Sequence, residues 1–235
     1  MSADTTIFES CTRRLVRLFL ACFFFAALCS GCTNSSVTVD KAPPTVQTVH
    51  KNVRSSSIPD SVDRAHSDLD LTAYTTWFFG CKPIFDYQIV SEREAFGQTT
   101  TTLVIQGVNL QLSLPITIDI AKDALPSVVE HENGHVQICL KMYEHADATA
   151  REAARKLIGR PFTGTGATAG EARQKALDAA GAQLGADYRQ GTVDEVNEAS
   201  AYYDQLAAVS SALSVDDMVR QSIEKVVHSK IADTK

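Results

Sequence analysis

Glu130-His131-Glu132-Asn133-Gly134-His135 is the stretch from which the rest of the chain is read. It contains the pattern H-E-x-x-H. On a helix, residues i and i+4 project from one face, so His131 and His135 can offer two imidazole nitrogens to one tetrahedral metal. Glu132 is not spaced as a ligand, but a carboxylate there can take a proton from water that a metal has made acidic. The stretch therefore predicts Zn2+ as cofactor, His131 and His135 as its ligands and Glu132 as general base. The bland alternative is a solvated helix face with two unrelated histidines. A purely structural zinc is disfavoured, because such sites lean on cysteine.

Upstream of the motif, from about residue 68 to 120, the chain is rich in Thr, Val, Ile and aromatics. Leu71 to Phe79, Phe85 to Val90, Thr101 to Gln106, Val108 to Leu114 and Ile116 to Ile120 read as strands, the third and fourth joined through Gly107. They predict an antiparallel or mixed sheet of three to five strands, with Val108 to Leu114 open to an extended substrate by edge pairing. The motif helix is expected to start near 123–127, with Pro126 in its first turn and Ser127 with Glu130 as a capping box, and to run to about Ile158. Arg160 to Ala167, glycine-punctuated, reads as a plain connection. Three further helices are expected from the start signals Thr168 with Glu171, Thr192 with Glu195 and Ser214 with Asp217. The fold class is thus α+β: a small N-terminal antiparallel or mixed sheet packed on a zincin-like H-E-x-x-H helix, with a helical C-terminal half, the whole domain spanning residues 68–232.

A catalytic zinc needs a third protein ligand and an open position. The extended H-E-x-x-H-x-x-G-x-x-H pattern is absent, since Ile138 and Lys141 stand where its Gly and third His would be. Glu198, within Asn197-Glu198-Ala199-Ser200, is the first candidate, and Asp204 is the alternative. Glu144 and His145 point elsewhere along the motif helix. Tyr203 is a candidate oxyanion stabiliser, because a phenol beside such a site can donate to a developing negative charge. Its other reading, as for Tyr202, is a core-edge residue of an amphipathic helix.

The chain opens with Arg13, Arg14 and Arg17 before an apolar run, Leu18 to Leu28, too short to span a bilayer comfortably. It ends in Leu28-Cys29-Ser30-Gly31-Cys32, which resembles a bacterial lipoprotein signal. Residues 1–31 are therefore expected to be an export signal and Cys32 the lipidated residue, which implies attachment to the periplasmic side of a cell-envelope membrane. Residues 32–67, polar and proline-punctuated, read as a flexible tether. Cys81 and Cys139 are left as a possible disulfide in an oxidising compartment, worth about 4 kcal/mol in the loop-entropy model; two buried thiols are the alternative. A formal net charge of -6 without a basic stripe argues against nucleic acid as partner.

Taken together, Thr75-Thr76-Trp77, Leu114-Pro115, His131 to His135 and Tyr203-Asp204 resemble a bacterial family of predicted secreted zinc-dependent proteases, domain of unknown function 922, over roughly residues 70–206. The resemblance implies a protein or peptide substrate. It also implies a Thr and a His shortly after the Tyr-Asp pair, where this chain has Ala207 and Val209. The function expected is a zinc-dependent peptidase of the envelope. The alternative is a non-catalytic envelope lipoprotein, a binding or assembly module with a degenerate metal site.

Overall fold

The computed structural model describes residues 36–51, 73–210 and 212–233, with side chains to residue 228. The expected signal at 1–31, Cys32 and the later part of the tether lie outside the described residues. In chain order the strands are β1 (Val37–Lys41), β2 (Thr45–Lys51), β3 (Ala73–Trp77), β4 (Gly80–Ala95), β5 (Gln98–Ser113), β6 (Pro115–Ala121) and β7 (Pro161–Gly166). The helices are α1 (Pro126–Tyr143), α2 (Ala146–Arg155), α3 (Ala169–Gln190), α4 (Val193–Val209) and α5 (Val215–Asp233). The fold is α+β with a helical C-terminal half. None of these helices is long and apolar enough to cross a membrane.

β5 is the spine. Thr99, Thr101, Leu103 and Ile105 are buried along its first half and Val108, Leu110 and Leu112 along its second. Since side chains alternate faces with period two, this change of parity needs an extra residue in the strand. It occurs at Gly107, where β4 also shifts register: Asp86 faces Gly107 and Tyr87 faces Ile105. The two runs expected on either side of Gly107 are therefore one bulged strand.

There are two sheets, not one, and both are mixed. The larger has β5 between β1 and β4, with β7 also on β5; the smaller has the order β2-β6-β3. β1 and β2 correct the tether expectation. β1 runs parallel to β5 from Val37 beside Val108 to Lys41 beside Leu112, and β2 runs parallel to β6 from Thr45 beside Pro115 to Lys51 beside Ala121. The amides of Ala42 and Thr45 bond the carbonyls of Leu112 and Leu114, so the segment shadows the β5–β6 chain across the change of sheet. Ala42-Pro43-Pro44 marks that crossing rather than a loose linker, because proline supplies no amide to a ladder but is harmless between two of them. The same pairing overturns the substrate role expected for Val108 to Leu114: β1 covers one edge of this strand and β4 the other.

Arg160 to Ala167 is also corrected, because it contains β7, paired antiparallel with β5 from Thr99–Gly166 to Val104–Pro161. Its glycines allow α3 to lie against it. A side chain on Gly164 would overlap the Ala172 carbonyl and one on Gly166 would lie 2.7 Å from the Glu171 Cβ. α3 buries Ala172, Ala176, Ala180, Leu184 and Tyr188 at intervals of one turn, its first two turns lying on β7. It is capped as expected: Thr168 Oγ1 accepts from the Glu171 amide and Glu171 Oε2 from the Ala167 amide. Ser214 caps α5 in the same way, accepting from the Asp217 amide, whereas Thr192 turns its hydroxyl to the Tyr188 carbonyl instead.

The motif helix begins with Pro126 in its first turn, but its N-cap is Leu125 and no Ser127–Glu130 box forms. It stops at Tyr143, and α2 restarts at Ala146, in place of one helix to residue 158. Lys41 Nζ donates to the freed Glu144 carbonyl at 2.8 Å, and the Tyr143 hydroxyl donates to the Ala42 carbonyl, so β1 and the sheet crossing brace this break.

Candidate metal centre

The buried face of α1 carries Glu132, His135, Val136, Cys139 and Tyr143, spaced as one helical stripe. α4 presents Val196, Ala199, Ser200 and Tyr203 at i, i+3, i+4 and i+7 to the interior. Asp204 borders that stripe. Its Oδ1 lies 3.1 Å from His131 Nε2 and 3.1 Å from His135 Nε2. These three residues form a group that can hold a metal ion, with all candidate ligand atoms within 4.8 Å of one another.

The fit to a cation rests on what the carboxylate lacks. Both Asp204 oxygens are buried without a hydrogen-bond partner, although two ring nitrogens are close to Oδ1. The separation is that of a hydrogen bond, but the directions are not. Atoms converging on a common point behave so: two ligands about 2.0–2.1 Å from a tetrahedral zinc stand about 3.3 Å apart. Side-chain exposures of 26% for His131, 4% for His135 and 11% for Asp204 show that the group opens on the His131 side. Burial would lower the His131 imidazole, but Asp204 and Glu132 together hold it above its usual value. Burial would likewise raise the Asp204 carboxyl, and the two imidazoles outweigh it and hold it low.

Glu198, the first candidate, is exposed and lies outside this group, whereas Asp204, the alternative, lies within it. Six residues separate the two, and at about 100° per residue they point some 120° apart on α4, so both cannot face α1. Tyr203, the candidate oxyanion stabiliser, is fully buried, its hydroxyl donates to the His131 carbonyl at 3.2 Å, and its ring lies 5.0 Å from each imidazole, so it buttresses both rings. Tyr202 faces away, its ring under Lys225 Nζ at 3.9 Å.

β3 completes the surroundings with two residues that the sequence did not connect to the site. Thr75 Oγ1 donates to Glu132 Oε2 at 2.7 Å, and both side chains are buried. Trp77 stacks on His135 with ring centres 6.3 Å apart and planes 24° apart. His135 Nδ1 has no hydrogen-bond partner, so packing between Trp77 and Tyr203, rather than a bond to Nδ1, fixes this ring. Ala73, Thr75 and Trp77 share one face of β3 by period two, but nothing local says that this face meets α1.

Cys81 and Cys139 are free thiols, so the expected bridge is not formed. Cys139 is fully buried on α1 and Cys81 half-buried on β4, each absorbed separately into packing. Burial pushes Cys81 up to about 11 and Cys139 further still.

Comparison of the chain with protein-family models, with curated proteins and with solved structures finds no match.

Proposed function

We propose that this chain is a zinc-dependent peptidase, exported and anchored by lipid on Cys32 to the periplasmic side of a cell-envelope membrane. The observation that carries the proposal is the Asp204 carboxylate, buried without a hydrogen-bond partner between two histidine nitrogens of H-E-x-x-H. Three protein ligands with one open side are the pattern of a catalytic zinc; a structural one is closed by four. Zinc bound there would polarise a substrate carbonyl and lower the pKa of water.

The chain's own residues have separable tasks. His131 and His135 would hold the metal through Nε2 and Asp204 through its carboxylate. Glu132 is kept out of the ligand group and is the base that takes a proton from water and returns it to the leaving amine. β3 is one of the two outer strands of the smaller sheet and the one that carries Thr75 and Trp77 beside the site, so an extended peptide is received there, in place of β5. The substrate is accordingly a protein or peptide with an extended segment.

The test is elemental analysis of the purified chain together with turnover of fluorescein-labelled casein. About one zinc per chain is expected, with casein hydrolysis that Glu132→Gln lowers by about 10²–10⁴-fold while zinc is retained. Absence of zinc, even after titration, would refute the reading. Zinc with no Glu132-dependent hydrolysis would favour a metal-holding envelope lipoprotein.

A further inference from the structure

We infer that Thr75 is a positioning residue for Glu132, and that its hydroxyl holds this carboxylate both before and after it takes a proton. The inference rests on the peptidase reading and adds a residue to it. Thr75 Oγ1 lies 2.7 Å from Glu132 Oε2 and 3.3 Å from the Glu132 main-chain carbonyl, with both residues buried. A hydroxyl has one hydrogen and two lone pairs, so it serves one acceptor at a time. Toward the ionised carboxylate the hydrogen points at Oε2, the shorter and charge-assisted bond. When the other carboxylate oxygen takes a proton, Oε2 remains an acceptor and the Thr75 hydrogen stays on it. No proton leaves Thr75 in either state. The carboxyl group keeps its place and its free oxygen its aim, without a rotamer change during turnover.

The placement on β3 extends this role. Thr75 pairs with Ile118 in the middle of this outer strand, and Trp77, two residues on, stacks on the ligand His135. The strand that would align a peptide thus also carries the group that aims the base. Misplacement of a reacting group by about 1 Å costs about a hundredfold in rate.

The test compares wild type, Thr75→Val, Thr75→Ser and Thr76→Val as zinc-loaded full-length chains, using three readings. These are zinc per chain, the dissociation constant of acetohydroxamic acid by calorimetry, and kcat and KM on labelled casein. A hydroxamate binds zinc and hands a hydrogen to a nearby carboxylate, so its affinity reports where Glu132 points even without turnover. Thr75→Val is expected to keep its zinc, bind hydroxamate about tenfold more weakly and lose about a hundredfold in kcat with KM nearly unchanged. Thr75→Ser should restore both readings, and Thr76→Val, whose hydroxyl serves the Thr117 carbonyl, should leave them alone. A Thr75→Val chain with zinc, hydroxamate affinity and kcat all at wild-type values would overturn the inference while leaving the peptidase reading intact. A wild-type chain without zinc would overturn both. If Thr75→Val fails to fold, Thr75→Cys, similar in size with a weak donor, takes its place under the same criteria.

Discussion

Gly134 to alanine sets a local rule against a tertiary one. Position 134 is inside α1, where alanine is favoured over glycine by about 1 kcal/mol. A methyl on Gly134, however, would overlap the Tyr203 hydroxyl and Cζ and lie 2.9 Å from Cε2. Tyr203 cannot swing aside cheaply, because it is fully buried against both imidazoles. Overpacking of this kind costs about 1–3 kcal/mol, and losing the hydrogen bond from Tyr203 to the His131 carbonyl adds about 1 kcal/mol. Offset by the helix gain, the expected net destabilisation is about 1–3 kcal/mol. Asp204 adjoins Tyr203 in sequence, so zinc affinity should fall as well. Urea unfolding measures the first effect and competition with a chelator the second. Gly185→Ala is the control: on α3 a methyl there meets nothing within 4 Å, so only the helix gain of up to about 1 kcal/mol should register. If Gly134→Ala matches Gly185→Ala in stability and keeps wild-type zinc affinity, Tyr203 does not occupy the space claimed for it.

Other outcomes follow from the same structure. Asp204→Asn should strip zinc to the level of His131→Ala and His135→Ala, while Glu198→Gln keeps about one zinc per chain by elemental analysis; the reverse ranking would restore Glu198 as ligand. Truncation to residue 52 should abolish cooperative urea unfolding, because it removes β1 and β2 and bares the edges of β5 and β6, whereas a true tether could be cut without effect. At pH 8 the native chain should resist iodoacetamide at Cys81, since a thiol raised to about 11 is ionised in roughly one molecule in a thousand, and should react once unfolded. As pH rises from the ordinary thiol value of 9.0 toward that raised value, the unfolded state gives up this proton first, so Cys81 should make the protein less stable across that alkaline window.

Local signals explain the parts of the fold that were legible in the sequence. Alternation in Val108 to Leu114, Pro126 at a helix start, and Thr168 and Ser214 as caps are decided within a few residues. The spacing of His131 and His135 belongs with them, because one turn of helix is enough to bring two imidazoles together. β1 and β2 were not legible: their residues are mostly exposed or half-exposed, so no apolar stripe announces them, and their stability comes from edges of β5 and β6 far along the chain. β7 was hidden for a related reason, as Gly164 and Gly166 read as turn residues until α3 is seen lying on them.

The sequence alone determined that two imidazoles and a carboxylate stand together on one helix. Tertiary packing decided that Asp204 rather than Glu198 joins them, that Tyr203 is a buttress, and that Thr75 holds Glu132. The physical reason is that helical and strand periods fix which residues share a face, whereas the partner of each face is chosen by contacts between segments tens of residues apart.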